Sequence, residues 1–389
     1  MSKRLNEMRP VYVVGIGLHR YQRLSDTSYV ALGLTAIRAA LEDSGIPWTS
    51  VEASYISTAR LGMASGRAML CHLGATGAPL VHLENASASG SAAVRQACIE
   101  IAGGFSDIVL AVGVDKPVSD SKSEETAIGY TKAGIETLAE DAVLPFTRYA
   151  ILANEYINKY GIGTEDMARV ALKNHHNGAL NPFAHRQAER TMSEVLSGKS
   201  VAGSFTTLQC CPVGEGAAAV ILASEEGMRR LGLDLQRAVL VASSAATSEI
   251  VSPQGPGGDV SLTELTTRMA LRDAGVSADA LDVIEVHDAF SIEELQYVEA
   301  MGLCGPGEAA RELKAGAFDI GGRCAVSPSG GLIAMGHPLG PTGIGQIAEL
   351  TRQLRGEAGL RQQPGAKLGL AHMVGLGAVC YAHVLQAVN

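Results

Sequence analysis

The chain has 389 residues, of which 47% are hydrophobic and 18% are charged, enough to build about two to three domains or one large duplicated unit. This composition excludes a disordered chain and a collagen-like fibre. The 31 basic and 40 acidic side chains give a net charge of −9, which argues against a protein that binds the phosphate backbone of nucleic acids.

The elements of the first half alternate between apolar strands and helices. The run VYVVGIG at Val11 predicts a buried central strand, the segment 26–45 predicts a helix that ends at a glycine, and ASYIS predicts a second strand. A third strand at 80–83 leads into the turn ENASASGS, a helix to about Gly104 and the strand DIVLAVG. Helices must therefore cover the strands on both faces.

An insertion of about residues 115–205 interrupts this pattern. It is more polar, contains Pro117, Pro145 and Pro182, and shows two or three helical patterns. We interpret it as a loop domain that could act as a lid. The apolar strand VGEGAAAVILAS then completes the first half.

The second half repeats the same order of elements. It has an opening strand at Arg237, a helix at 261–276, the strand DVIEVHDAF, and then a glycine-rich turn, a helix and two strands over 324–389. Such an internal duplication fixes the architecture more firmly than local propensity. We predict an α/β protein with halves at 1–235 and 236–389, packed face to face in five layers.

The turn ENASASGS places Ser87 at the start of a helix of small residues. Unpaired backbone N–H groups and the positive end of the helix dipole favour negative charge at this point. Two interpretations stay open from this turn alone: Ser87 takes part in chemistry, or it is an ordinary helix N-cap.

The matching turn of the second half, SGGLIAMGHPLGPTG, contains His337 among five glycines. A histidine held in a turn has a fixed direction, and its pKa can be tuned near neutrality for acid–base work. A structural histidine is the alternative. The pseudo-symmetric placement of His337 opposite Ser87 favours the functional interpretation.

Two further segments contribute to the same predicted crevice. His287, in EVHDAF, follows a strand, and active sites of open α/β sheets gather at the carboxyl ends of strands. Asp288 is expected either to orient a neighbour or to cap the helix that follows, and capping is the favoured interpretation. In MVGLGA, Gly375 and Gly377 are candidates for backbone N–H donors in an oxyanion hole.

These motifs resemble the thiolase superfamily over nearly the whole chain, particularly the sterol-carrier-protein type and thiolase-like subunits that work with a small OB-fold partner. The resemblance implies the thiolase fold, two pseudo-symmetric βαβαβαββ halves in a five-layer αβαβα body with an inserted loop domain. By position, Ser87 matches the nucleophilic cysteine, His337 the activating histidine and His287 the oxyanion-hole residue. Backbone N–H groups of Ser87 and Gly375 match a second oxyanion hole.

The chain departs from the thiolase pattern in two respects. Met373 and Ala289 stand where the family carries a second, acid–base cysteine, and Ser87 replaces the nucleophilic thiol. A serine hydroxyl needs more help from a base than a thiol does. Three explanations fit Ser87: a cysteine changed to trap substrate, another reaction of the scaffold such as retro-aldol cleavage or decarboxylation, or a non-catalytic subunit.

The resemblance predicts an acyl-CoA C-acyltransferase that cleaves or forms a 3-oxoacyl-CoA, with coenzyme A as substrate and no covalently bound cofactor or metal. Arg186, Arg190 and Lys199 are candidates to bind its phosphates. A homodimer is expected, with an OB-fold and zinc-ribbon protein as a second partner and with neither nucleic acid nor membrane bound. The charged start and the absence of a long apolar stretch predict a cytoplasmic protein. A catalytically silent acyl-CoA-binding subunit is the competing hypothesis.

Overall fold

The computed structural model describes residues 4–117, 146–252, 255–256, 258–376 and 378–388. The strands in these ranges are β1 (Tyr12–Gln22), β2 (Ala53–Ser57), β3 (Leu80–Leu83), β4 (Ile108–Asp115), β5 (Ser200–Ala202), β6 (Phe205–Thr206), β7 (Glu215–Ala223), β8 (Val239–Ser248), β9 (Val251–Ser252), β10 (Gly255–Pro256), β11 (Val283–Glu285), β12 (Ala325–Val326), β13 (Leu368–Gly375) and β14 (Val379–Ala387).

The α-helices of the same ranges are α1 (Tyr29–Ser44), α2 (Ser65–Leu70), α3 (Ser89–Ala102), α4 (Phe146–Tyr160), α5 (Thr164–Ala179), α6 (Met192–Ser197), α7 (Glu225–Leu231), α8 (Asp259–Ala274), α9 (Ser291–Ala300), α10 (Ala309–Lys314), α11 (Gly331–Ala334) and α12 (Leu339–Arg355). None of the helices in the described ranges is long and apolar enough to cross a membrane.

The sheet topology shows the internal duplication directly. The first half has the strand order β3-β2-β4-β7-β1, and the second half has β12-β11-β13-β14-β8. Counted within each half, both orders read third, second, fourth, fifth, first. The parallel and antiparallel pairings also match, and a short antiparallel pairing of β1 with β8 joins the halves. The predicted duplication is confirmed, while the exact division at 235/236 stays a prediction.

Helices cover both faces of each half-sheet. Helix α1 packs on β1 and β7, α8 packs on β8 and β14, and α3 and α12 lie together between the two half-sheets. The central β4 and β7 are buried along their whole length, as expected for strands covered on both faces. The layers therefore run helix, sheet, helix, sheet, helix, which confirms the predicted five-layer α/β body.

Glycines allow the two central helices to cross closely near their starts. A Cβ atom on Gly90 of α3 would lie 2.7 Å from the carbonyl oxygen of Gly340, and one on Gly343 of α12 would lie 2.6 Å from the backbone nitrogen of Ser91. Real Cβ atoms do not approach so closely, so both positions require glycine. This crossing brings the start of α3 next to the start of α12, where the two predicted site turns lie.

The described part of the insertion is mainly helical, with the short strands β5 and β6 near its end, and it lies against the second half. Helices α4, α5 and α6 belong to it, and its buried side chains share one hydrophobic core with α9 and β11. Its residues 118–145 lie outside the described ranges. At its end, the backbone N–H of Cys211 donates to the carbonyl oxygen of Ala289 at 2.8 Å. The insertion is thus attached to the EVHDAF turn.

Candidate active site

Ser87 lies in a single turn of 3-10 helix, Ala86–Ala88, that runs directly into α3. Ala86 has a left-handed backbone conformation with φ of 50°, which is uncommon for a residue with a Cβ atom. The serine is partly exposed. Helix α3 has Ala88 as its N-cap without a side-chain hydrogen bond. The N-cap interpretation of Ser87 is therefore excluded, and its hydroxyl is available for another partner.

That partner is His337. The Nε2 atom of His337 lies 2.9 Å from Oγ of Ser87, and its Nδ1 atom lies 3.0 Å from Oγ1 of Thr342. Thr342 donates its own proton to the carbonyl oxygen of Pro338 at 2.5 Å, so its oxygen accepts from Nδ1–H of His337. This leaves the lone pair of Nε2 to accept the proton of Ser87. The geometry is that of a nucleophile paired with an oriented general base.

The protonation state of His337 agrees with this assignment. Burial lowers the pKa of His337 well below its ordinary value, and the neighbouring charges of His287 and Arg60 lower it further. A histidine with such a pKa is neutral at pH 7 and accepts a proton at Nε2. His337 is thus in the neutral form that can accept a hydrogen bond from the hydroxyl of Ser87.

His287 lies beside His337 and is held by a buried carboxylate. The two imidazole rings meet edge to face, with centroids 5.4 Å apart. Nδ1 of His287 is 3.0 Å from Oε1 of Glu293, and both side chains are almost completely buried. Nε2 of His287 has no hydrogen-bond partner among the described residues. A buried polar atom without a partner is uncommon, and here it leaves one nitrogen of His287 without a protein partner among the described residues.

Glu293 is fixed by two additional hydrogen bonds. Its Oε2 accepts from the backbone N–H of Phe290 at 2.8 Å, and its Oε1 accepts from the hydroxyl of Tyr297 at 3.0 Å. Asp259, the next carboxylate in this region, is paired with Arg148 at 2.6 Å. Among the described residues, His287 is therefore the basic group that is hydrogen-bonded to Glu293.

Asp288 has a structural task that differs from the expected one. Its Oδ1 accepts from the backbone N–H of Leu332 at 2.7 Å, and its Oδ2 accepts from Nδ2 of Asn174 at 2.5 Å. It therefore caps the distant helix α11, whereas Glu293 caps the helix that follows. Because α11 ends three residues before His337, Asp288 anchors the loop that carries this histidine.

The start of α12 is anchored in a similar way by Asp115. Its Oδ2 accepts from the backbone N–H of Gly340 at 2.5 Å, and its Oδ1 accepts from the backbone N–H of Arg60 at 2.9 Å. A carboxylate at a helix start is favourable because of the unpaired N–H groups and the dipole. The loop of His337 is thus held at both of its ends.

Gly375 lies against the turn that carries Ser87. A Cβ atom at this position would collide with the carbonyl oxygen of Asn85 and lie 3.1 Å from Cβ of Ala88. Only glycine lets the end of β13 approach this turn so closely. The predicted neighbour Gly377 lies outside the described residues.

The three cations predicted to bind coenzyme A lie in different settings. Arg186 donates to the carbonyl oxygens of Cys210, Ile333 and Thr207 at 2.8–3.0 Å, so its donors are used within the protein. Arg190 lines an open pocket of 560 Å³, and Lys199 is exposed. Pocket neighbours of Arg190 include Arg23, His185, Pro212 and Val213.

Sequence reasoning missed the residues that support the predicted ones. Glu293, three residues after the N-cap of α9, has the spacing of a capping box, which indicates a cap but not a contact with His287. Thr342 carries no signal beyond its place in the first turn of α12. Both contacts depend on the tertiary arrangement of the turns.

Comparison with known families agrees with this architecture. The model described as "Thiolase, N-terminal domain" matches residues 15–191, and the model described as "Thiolase C-terminal domain-like" matches residues 250–386. Sterol carrier protein 2 of Gallus gallus is 36% identical over 95% of this chain and 70% of its own length. The chain belongs to the thiolase family.

Other thiolase relatives match along nearly their full length. Benzoylsuccinyl-CoA thiolase subunit BbsB of Thauera aromatica is 33% identical, covering 95% of both chains. Acetyl-CoA acetyltransferase of Methanothermobacter thermautotrophicus is 34% identical, covering 97% of this chain and 100% of the relative. These names describe acyltransferases and CoA thiolases, and they support an acyltransferase type of enzyme.

Solved structures confirm the thiolase fold. The structure titled "Ltp2-ChsH2(DUF35) aldolase" has a TM-score of 0.82 at 22% identity and covers 97% of this chain and 98% of its own. Human mitochondrial 3-ketoacyl-CoA thiolase in complex with CoA has a TM-score of 0.72 at 20% identity, with full coverage of both chains. At these identities the likeness concerns the fold alone.

Proposed function

We propose that this protein is a thiolase-type acyl-CoA C-acyltransferase that acts on a 3-oxoacyl-CoA, with Ser87 as the nucleophile. The observation that carries the proposal is the 2.9 Å contact of Ser87 Oγ with His337 Nε2, together with the tautomer that Thr342 imposes. A hydroxyl next to a neutral, oriented imidazole is an activated nucleophile.

In the cleavage direction, Ser87 attacks the 3-oxo carbon and its proton passes to His337. The negative charge on the attacked oxygen is stabilised by the backbone N–H groups of Ser87 and Gly375. The bond between the second and third carbons then breaks and leaves the enolate of acetyl-CoA. Nε2–H of the protonated His337 and Nε2–H of His287 are the proposed donors to the enolate oxygen, because preorganised donors stabilise developing charge.

Glu293 defines the role of His287 in this mechanism. Glu293 accepts from Nδ1–H and holds the imidazole ring in place, and we propose that Nε2 of His287 donates to the enolate oxygen. His287 then acts as a donor while His337 acts as the base. The two adjacent histidines thus have different tasks because their hydrogen-bond partners differ.

The departing carbon needs a proton that a second cysteine supplies in most thiolases. Met373 and Ala289, at those places, are buried side chains without a titratable group. His337 holds the proton taken from Ser87, and we propose that it delivers this proton to the enolate carbon.

For binding of coenzyme A, we propose that Arg190 and Lys199 contact its phosphates. The open pocket at Arg190 supports this proposal because Arg23 also lines it, and two cations attract an anionic group. Arg186 is not part of the proposal, since its guanidinium is bound to backbone carbonyl oxygens. Charge reversal at Arg190 should raise KM for acyl-CoA, and the same change at exposed Arg268 of α8 is the control.

For the assembly, we propose a homodimer that forms through the sheet edge at β3. This strand lies at the end of the ten-stranded sheet, and Leu80 and Val81 on it are 38% and 42% exposed. An exposed apolar edge strand is a template for pairing with another chain. Val81→Lys should yield a monomer by light scattering. An OB-fold partner is a further proposal, supported by the word "subunit" in the BbsB name, and co-purification with the products of adjacent genes tests it.

The competing function is a catalytically silent subunit that holds acyl-CoA for a partner. Ser87 favours it, because a serine is a weaker nucleophile than cysteine. One experiment separates the two: purified protein is incubated with a series of 3-oxoacyl-CoA esters, with and without free CoA, alongside Ser87→Cys and Ser87→Ala. Acetyl-CoA release by wild type, and its loss in Ser87→Ala, supports the acyltransferase, whereas release by Ser87→Cys alone supports the silent subunit. Absence of cleavage in all three proteins, with tight acyl-CoA binding, supports the silent subunit.

A further inference from the structure

The pairing of Ser87 with His337 leads to an ester, and the fate of this ester differs from that of a thioester. An oxygen ester is more stable than a thioester, because oxygen donates its lone pair into the carbonyl more effectively than sulfur. Transfer of the acyl group from Ser87 to the thiol of CoA is therefore uphill. Transfer to water is downhill, so water is the favourable acceptor on energetic grounds.

The residues around the site limit the bases that are available to the second reactant. Thiolysis needs a base for the incoming CoA thiol, and the family's second cysteine is replaced by Met373 and Ala289. Cys211 is the thiol whose backbone contacts Ala289, but burial raises its pKa well above the ordinary value. A thiol in that state stays protonated and cannot act as a base. His337 is therefore the base that this site offers to the second reactant.

His337 is suited to activate water once Ser87 is acylated. Thr342 keeps its Nε2 directed at the Oγ of Ser87, so a water molecule that approaches the ester carbon from this side meets a lone pair. His337 is neutral again after it has delivered its first proton to the enolate. Ser87 is partly exposed, so solvent reaches the ester.

We propose that this protein hydrolyses its 3-oxoacyl-CoA substrate to acetyl-CoA and a free carboxylic acid. The proposal rests on the proposed function, because it needs the same acylated Ser87. In the first stage, the bond from Oγ to the 3-oxo carbon forms, the carbon–carbon bond breaks, and the serine proton reaches the enolate through His337. In the second stage, water attacks the ester carbon and gives a proton to His337. The bond to Oγ breaks, and Ser87 takes this proton back.

The two stages add up to one balanced reaction. One 3-oxoacyl-CoA and one water give one acetyl-CoA and one carboxylic acid, and neither an oxidant nor a second CoA is consumed. Free CoA, the second substrate of a thiolase, has no part in it. This difference in stoichiometry makes the proposal testable without knowledge of the natural acyl chain.

The test uses the full-length protein with a series of 3-oxoacyl-CoA esters in ¹⁸O-labelled water. Acetyl-CoA, the free acid and the shortened acyl-CoA are quantified by mass spectrometry at zero and at saturating free CoA. In Ser87→Cys the acyl group should pass to CoA in place of water, and Ser87→Ala is the inactive control. Intact-protein mass spectrometry of rapidly quenched samples detects the ester on Ser87.

We expect wild type to release acetyl-CoA and free acid in equal amounts, with one ¹⁸O in the acid and a rate that free CoA does not raise. Ser87→Cys should produce shortened acyl-CoA in a CoA-dependent manner. Shortened acyl-CoA as the main product of wild type, or a Ser87 ester that persists without acid release, would overturn the proposal while leaving acyl transfer intact. If neither wild type nor Ser87→Cys cleaves any substrate, the proposed acyltransferase function itself fails.

Discussion

The contact of Glu293 with His287 offers a sharp test of the electrostatics of this site. In Glu293→Gln the amide oxygen can still accept from the backbone N–H of Phe290, so the cap of α9 is retained. The amide nitrogen then faces Nδ1 of His287 and cannot accept its proton. His287 then loses the charged hydrogen-bond acceptor at Nδ1, so the proposed hydrogen bond from its Nε2 to the enolate is weakened.

The structure suggests the size of this effect. Hydrogen bonds to charged groups contribute about 1.5–3 kcal/mol, which corresponds to a decrease in kcat/KM of about 10- to 150-fold. The decrease should appear in kcat more than in KM, because the enolate charge exists only in the transition state and intermediate. Acetyl-CoA release from 3-oxoacyl-CoA, measured over a range of pH, provides the assay.

Glu299→Gln is the matched control. Glu299 is on the same helix and also accepts two hydrogen bonds, from the hydroxyl of Tyr156 and from the backbone N–H of Ala309, but it is not bonded to His287. Both variants should have similar unfolding midpoints, and only Glu293→Gln should lose activity. A kcat/KM within threefold of wild type in folded Glu293→Gln would refute the reasoning, as would an equal loss in both variants.

Three further predictions concern the helix crossing, the base and a buried histidine. Gly343→Ala should destabilise the protein by about 1 kcal/mol in chemical denaturation, because overpacking of about 1–3 kcal/mol exceeds the gain of about 1 kcal/mol in helix propensity. Gly62→Ala, where the new Cβ would meet nothing within 4 Å, should not be destabilising. Equal losses of unfolding free energy in Gly343→Ala and Gly62→Ala would contradict the close crossing of the two helices. Thr342→Val should slow acylation of Ser87 at least tenfold, measured by quenched mass spectrometry, because Nδ1 of His337 loses its acceptor. Thr35→Val at an exposed site of α1 is its control, and unchanged acylation in Thr342→Val would contradict the assigned tautomer. Burial lowers the pKa of His383 to about 3. Below about pH 6.5 the unfolded chain therefore takes up a proton at this histidine while the folded protein does not, so the free energy of unfolding decreases as the pH decreases. Between pH 7 and pH 5, His383→Gln should lose about 2 kcal/mol less unfolding free energy than wild type, and identical pH profiles would refute this.

The sequence alone was sufficient to predict the fold and the main residues of the candidate site. Local patterns predict the duplicated order of strands and helices. Apolar runs predict β1 and β7, and glycines mark the ends of α1 and α8. The turns that carry Ser87 and His337 are recognisable because glycine and small residues are needed wherever backbones approach closely. Local patterns of this kind can be recognised in the sequence without knowledge of contacts between distant residues.

The tertiary structure decided how these residues work together. Ser87 and His337 are 250 positions apart in the chain, and their contact depends on the crossing of α3 and α12 at Gly90 and Gly343. The structure also shows that Asp288 caps α11 rather than the helix that follows, and that Glu293 is bonded to His287. Hydrogen bonds and burial fix which histidine is neutral and which is held by a carboxylate, and neither can be derived from sequence spacing, because both depend on side chains from separate elements.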